Sequence, residues 1–376
     1  MKRRIKIALL GPFPPAVGGI VYSIQGILNS PLGLKYQFVC FHTYSRKGGS
    51  SSYQKETISN KITRIPLDLL QYIYFLIKNN PYFIHIHTSF GKWSFWRDSV
   101  YLVISRLFGK EVFLQIHGGY LNLFLRQYPI LNALIVRLLR SASLITVLSR
   151  QQLRPFHEIG FDGKVHRIPN MINLNTIQGI HPKRSVFNLP DRHYIILLVA
   201  PHLFVEKGVY EFVHAAIRIS RQRNDVIFAV VGSGGEEARL KAICKDNRSQ
   251  HKIRFFGNLG RNEVLSLMSI SDLFVLPSWS EGFPMVILEA MSVGLPVIST
   301  DVGAIPEIIT NGIHGYVIHP KNEQTLVQTI SWMLKNPLEM KRIGHNNVEE
   351  IKKRYEVNLV YHLYENCYRK IIGNLK

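Results

Sequence analysis

Cysteine is scarce: Cys40, Cys244 and Cys367 are the only three in 376 residues. An odd number so widely spaced builds no disulfide framework and points to a reducing compartment. Long apolar runs are missing too. No stretch approaches the ~18–20 residues of a spanning helix. The nearest, Tyr128 to Leu148, is broken by Arg137 and Arg140. The opening MKRRIKIALL imitates the charged start of a signal peptide, but its apolar part is short and Gly-Pro follows at once, which predicts a first strand. Acidic side chains are rare in the first half. Residues 1–180 hold 22 basic and 6 acidic residues, a net of +16, while residues 181–376 hold 24 and 19, a net of +5. What is present is globular: 46% hydrophobic and 19% charged residues exclude wholesale disorder. The length suits two domains, each able to bury a core. The expectation is a soluble, cytosolic, two-domain protein.

A half-molecule at +16 expects a polyanionic neighbour: nucleic acid, anionic lipid headgroups or a phosphorylated substrate. Its basic residues are interleaved with aromatic and aliphatic ones over 92–110 and 123–140. Both stretches read as amphipathic helices with basic rims, a composition that suits a membrane surface. Ordinary domain helices with solvated charges are the alternative.

Short β-rich runs alternate with helical patterns throughout, which predicts an α/β chain of parallel sheets covered by helices on both faces. The expected strands of the first half are Ile5–Leu10, Tyr36–His42, Phe83–His87, Val112–His117, Leu144–Leu148 and Val165–Ile168. Those of the second are Tyr194–Ala200, Val226–Val231, Ile253–Phe256, Leu273–Leu276, Val297–Ser299 and Tyr316–Ile318. Between them Pro169–Arg192 has little periodicity and reads as a linker. The expected domains are 1–180 and 181–355, with a last helix over 356–376 able to pack back on the first. Ligands of doubly wound sheets sit at the carboxyl ends of strands, so a cleft between the domains is the expected site.

Four constellations can carry chemistry. GPFPPAVGGI (11–20) puts Gly18 and Gly19 between a strand and a helix, where backbone N–H groups favour a phosphate. VVGSGGEEARL (230–240) imitates a dinucleotide fingerprint but fails it, because Glu237 stands where the third small residue belongs and no acidic residue ends the next strand. His85 and His87 alternate on one strand and His117 ends a neighbouring one. Zinc is one reading; packing for the first two, with His117 facing a cleft, is the other. The richest stretch is 272–315. There a strand leads to the loop Pro277–Phe283, and Pro284 suits the first turn of a helix. The N–H groups of Met285 and Val286 then lie at its N-terminus, with Glu281 in the loop and Glu289 on the helix.

These residues resemble the retaining nucleotide-sugar glycosyltransferases of the GT-B fold, the large family with the E-x7-E motif that includes bacterial polysaccharide and lipid mannosyltransferases. The likeness runs from the Gly-Gly loop through IHIHTSF, LQIHGG, ITVLS, RIPNMIN, HLFVEKG, VVGSGG and FFGNL to PSWSEGFPMVILEAMSVGLPVISTDVGAIPEII and NGIHGYV. It is most specific in the second half. It implies two Rossmann-like domains and transfer of a sugar from a UDP- or GDP-sugar to a lipid-linked or polysaccharide acceptor. Cell-surface glycan synthesis (lipopolysaccharide or capsule), at the inner face of the cell membrane, would be the setting.

Carried over by position, Glu289 would accept from the donor ribose. Glu281, with the backbone of Gly282, Phe283, Pro284, Met285 and Val286, would hold the sugar and the distal phosphate. Lys207 would neutralise the leaving diphosphate, Gly18 and Gly19 would bring backbone to it, and the base would lie along Gly257–Leu259. His117 would touch the sugar near the reacting carbon, so His117, Glu281 and Lys207 are the expected catalytic set. No cofactor and no metal are expected, since no Asp-x-Asp occurs and a lysine with a helix N-terminus can stand in for the ion. One departure matters: Pro201-His202-Leu203 replaces the family's Gly-Arg-Leu. Arginine is always charged, whereas a histidine near its ordinary value of about 6.5 is mostly neutral at pH 7. Either neighbouring basic residues offset the loss, or His202 is protonated when the diphosphate is bound, or the enzyme is slow. Rival readings are a nucleotide-sugar epimerase or hydrolase of the same fold, and a basic nucleic-acid-binding protein, for which no motif is visible.

Overall fold

The computed structural model describes residues 4–16, 18–43, 58–177, 179–180 and 182–373, with side chains from residue 66 onward in the helix that opens at 58. Met1–Arg3 of the basic start, Val17 of the Gly-Gly loop, and Gln178 and His181 of the expected linker lie outside these residues. All twelve expected strands form, and no boundary moves by more than two residues. The chain divides into two units, Met1–Met171 with Val357–Lys376, and Ile172–Glu356.

The first unit holds β1 (Lys6–Gly11), α1 (Gly19–Leu28), α2 (Leu32–Lys35), β2 (Gln37–His42), α3 (Ile58–Asn79), β3 (Phe83–Thr88) and α4 (Ser94–Leu107). There follow β4 (Glu111–Ile116), α5 (Leu121–Gln127), α6 (Asn132–Ser141), β5 (Leu144–Val147), α7 (Arg150–His157) and β6 (Val165–Arg167). Its six parallel strands run in the order β2-β1-β3-β4-β5-β6. The expected helix over 123–140 is a correction: Pro129, which lacks an N–H, opens a short 3-10 turn that separates α5 from α6. Side chains of α3 to α7, among them Tyr72, Leu102, Phe124 and Ile135, close one core against the sheet. The other core takes α1 and the last helix of the chain.

The second unit holds β7 (Tyr194–His202), α8 (Val209–Ser220), β8 (Val226–Ser233), α9 (Glu237–Asp246), β9 (Ile253–Phe255), α10 (Arg261–Ser269), β10 (Leu273–Leu276) and α11 (Met285–Ser292). It continues through β11 (Val297–Thr300), α12 (Ile305–Ile308), β12 (Gly315–Ile318), α13 (Glu323–Lys335) and α14 (Pro337–Arg354). The parallel order is β12-β11-β10-β7-β8-β9. The chain then returns to the first unit as α15 (Val357–Gly373), whose Val360, Tyr364, Tyr368 and Ile371 pack with Ile7, Phe83 and Phe113. Each of those side chains is fully buried, so α15 is part of the first unit's core. Cys40, Cys244 and Cys367 are free thiols. No described helix is long and apolar enough to cross a membrane.

Candidate functional site

In the second unit β7 and β10 are neighbours, and the chain builds outward from them in opposite directions. The loops that leave their carboxyl ends flank this switch point, the place where open α/β sheets take their ligands. Close backbone contact holds the two loops together. Gly208 has φ +69°, and a Cβ there would lie 2.0 Å from the carbonyl oxygen of Pro277. Trp279 N–H donates to the Glu206 carbonyl at 2.8 Å, and its indole Nε1 donates to Glu211 at 2.8 Å. On the far side Gly303, φ +60°, leaves room for the Glu281 carbonyl, 2.2 Å from where a Cβ would stand.

The result is a charged pair. Lys207 Nζ lies 2.8 Å from Glu281 Oε1, and Ser278 Oγ donates to the same oxygen at 2.8 Å. Both carried-over catalytic residues of this unit thus meet beside the start of α11. Pro284 is the N-cap of that helix and not its first turn, with φ −71° and ψ 112° (a correction of one position). An N-terminal turn has four N–H groups without intrahelical partners, so Met285 and Val286 present donors here. Gly282, Phe283 and Pro284 carry the chain from Glu281 into it.

Glu289 points elsewhere. It is 4% exposed on α11, and Arg261 Nε, from the first residue of α10, donates to its Oε1 at 3.0 Å. Burial raises its carboxyl above the usual range, and the Arg261 charge opposes that rise. Arg261 was not anticipated. Its only sequence cue is a basic residue just after the β9 loop, which contacts alone make significant. Gly257, φ +64°, and Leu259 lie in that loop, where the Gly257 carbonyl accepts from Gly232 N–H at 2.7 Å. The glycines of VVGSGG serve backbone packing: Cβ atoms at Gly232 and Gly234 would meet Ala200 O at 1.8 Å and Leu203 N at 2.9 Å. His202 ends β7 exposed, its ring stacked 5.6 Å from Phe204.

The remaining predicted residues belong to the first unit. Gly18, φ 152°, is the N-cap of α1, which starts at Gly19. His117 follows β4 directly. Its Nε2 is 2.8 Å from His87 Nδ1, and the His87 ring stacks 4.2 Å from His85. His85 in turn bonds Tyr368 Oη at 2.9 Å and Gln115 at 3.1 Å, and Gln115 donates to Tyr364 Oη at 2.7 Å. Burial depresses all three imidazoles, His85 and His87 well below their usual range and His117 to about 3, so all are neutral. One proton is then shared between His87 Nδ1 and His117 Nε2. His87 Nε2 has no partner among the described residues. Leaving a lone pair unmet costs less than orphaning an N–H, so His87 donates and His117 keeps its proton on Nδ1. No group of three or more His, Cys, Asp or Glu able to hold a metal ion occurs among the described residues.

Residues 182–350 match the family described as "Glycosyl transferases group 1". The second unit is a group 1 glycosyltransferase domain. Relatives of the chain carry related names. An uncharacterized glycosyltransferase of Methanocaldococcus jannaschii is 28% identical over 53% of this chain and 50% of its own length. N-acetyl-alpha-D-glucosaminyl L-malate synthase of Bacillus anthracis is 26% identical over 66% and 65%. A Campylobacter jejuni N-acetylgalactosaminyltransferase named for a diphospho-undecaprenol acceptor is 27% identical over 49% and 47%. The aligned part thus spans about half to two thirds of these relatives. Among solved structures, sucrose-phosphate synthase of Thermosynechococcus elongatus superposes with TM-score 0.81 at 18% identity, over 99% of this chain and 100% of that one. Anabaena HepE in complex with UDP gives 0.74 at 16%, over 97% and 100%. The fold is GT-B, with the group 1 domain as its second α/β unit.

Proposed function

We propose that the chain is a retaining, metal-independent glycosyltransferase that moves a sugar from a UDP- or GDP-sugar to a lipid-linked or polysaccharide acceptor. One observation carries the reading. At the switch point of the group 1 domain, Lys207 and Glu281 meet at 2.8 Å beside the N-terminus of α11. A departing nucleoside diphosphate gains negative charge, and fixed donors aimed at it lower the barrier. Lys207 supplies a full charge, and the first-turn N–H groups of α11 supply the positive end of a helix dipole. Glu281 holds the lysine and offers its carboxylate to sugar hydroxyls. Buried Glu289, held by Arg261, is the acceptor for the ribose. In the first unit His87 fixes the tautomer that leaves His117 an Nδ1–H to donate. Retention follows from front-face attack, in which a donor phosphate oxygen takes the acceptor proton and no side chain acts as nucleophile. The UDP-bound relative in fold supports a uridine nucleotide. The diphospho-undecaprenol-named relative supports a lipid-linked acceptor.

Calorimetric titration with UDP and GDP tests the donor site. Glu289→Ala should bind the favoured nucleotide at least ten-fold more weakly, because a hydrogen bond to a charged acceptor contributes ~1.5–3 kcal/mol. Unchanged affinity in a folded variant would remove Glu289 from the site. Product analysis with and without acceptor separates transfer from donor hydrolysis or epimerisation. Because Lys207 and α11 already provide positive potential, transfer should persist in EDTA. A loss restored only by Mg²⁺ or Mn²⁺ would contradict the metal-independent mechanism.

A further inference from the structure

The first unit carries a face that its described residues leave uncovered. α3 is apolar on two sides. Tyr72 and Leu76 pack inward, while Leu67, Leu70, Tyr74 and Ile77 recur along the opposite side and are exposed, Ile77 to 64%. A helix apolar all round is normally buried all round. The neighbouring helices repeat the pattern. On α4, which packs beside α3, Val100, Val103 and Leu107 face outward, Leu107 80% exposed. Beside α4, the segment entering α6 exposes Ile130 to 95%, with Leu131 and Leu134 following it. Three adjacent helices therefore present one broad apolar surface, the kind that marks an interaction site on a soluble fold.

Charge selects the occupant. Over 58–79, 94–107 and 121–141 there are eight basic residues and two acidic ones, and one of those acids, Asp98, is buried against Arg97. Arg126 on α5 and Arg137, one turn beyond Leu134 on α6, are exposed, and Lys78 lies 5.7 Å from the Tyr74 ring. A second copy would bring a second strongly basic half to the same place. An anionic bilayer instead meets both features, since acyl chains accept the apolar stripes and headgroups accept the basic rim. The width over three helices also suits a surface better than a single partner helix.

We propose that the outer face of α3, α4 and the 130–134 segment of the first unit docks on an anionic lipid bilayer, with Leu70, Ile77 and Leu107 entering the interface. This stands independently of the transfer reaction, because lipid docking needs no nucleotide. The full chain should be sedimented with vesicles of phosphatidylcholine alone or mixed with phosphatidylglycerol, at low and high salt. Binding to the anionic vesicles should be at least ten-fold stronger, and the apolar contacts should preserve part of it when salt screens the charges. Leu70→Ser/Ile77→Ser/Leu107→Ser should bind the same vesicles at least ten-fold more weakly and retain nothing at high salt. Arg126→Glu/Arg137→Glu should lose the anionic preference while keeping the weak apolar binding. Equal binding by the triple variant, or no preference for anionic lipid, would overturn the proposal. So would a wild-type dimer that the triple variant makes monomeric while vesicle binding is unchanged. If the triple variant does not fold, Leu107→Trp reports instead: quenching by brominated phosphatidylglycerol supports insertion, and unquenched emission overturns it.

Discussion

Lys207→Ala is expected to lower kcat/KM for sugar transfer by about two to three orders of magnitude, the usual consequence of removing one fixed donor from a developing anion. Most of that loss should fall on kcat, because the leaving-group charge is largest in the transition state. Stability should fall as well. Glu281 is only 10% exposed, and without Lys207 Nζ at 2.8 Å its carboxylate loses a compensating charge. The cost is reduced because the Lys207 side chain is 32% exposed and screened by solvent. Lys207→Ala/Glu281→Gln separates the two effects. The double variant should recover stability by removing the negative charge that Lys207 balanced, yet remain as inactive as Lys207→Ala. Transfer within ten-fold of wild type in the single variant would show that the pair is only structural.

Mild acid should destabilise the protein well before its carboxylates titrate. His85, His87 and His117 are held neutral by burial, with His117 depressed to about 3. Their folded values lie below the ordinary histidine value of about 6.5, so on acidification the unfolded chain binds protons that the folded chain refuses. Their stability contribution is complete above that ordinary value and is lost as pH falls below it. The slope approaches ~1.4 kcal/mol per pH unit for each residue, about 4 for the three together. Urea unfolding at a series of pH values from 7 to 4, followed by hydrogen exchange in β3 and β4, measures it. His87→Phe should reduce the slope by about a third. A stability that stays level from pH 7 to pH 5 would show that the cluster is solvated.

All twelve strands were legible; most are short apolar runs, because parallel strands buried on both faces read as continuous hydrophobic segments. Lys207, Glu281 and the start of α11 were legible as local signals, since a loop between strand and helix is written in adjacent residues. Local sequence also marked His117 by its place after β4 in QIHGG.

Contacts between distant residues lay beyond its reach. Nothing near Glu289 announces Arg261, 28 residues away, as its counter-charge. Nothing near His85 announces Tyr368, 283 residues away, as its hydrogen-bond partner. Pairings of this kind depend on which helices the sheet order brings side by side and on how far their side chains reach. The same holds for α3. Its sequence declares an apolar helix, but only packing against the sheet decides that Tyr72 and Leu76 turn inward while Leu70, Tyr74 and Ile77 are left facing out. Composition determined that the first half is basic, and the alternation of strand and helix patterns determined that the chain is α/β. Tertiary structure decided where burial neutralises three histidines and where Lys207 meets Glu281, because the environment that sets charge and reach exists only once the chain is packed.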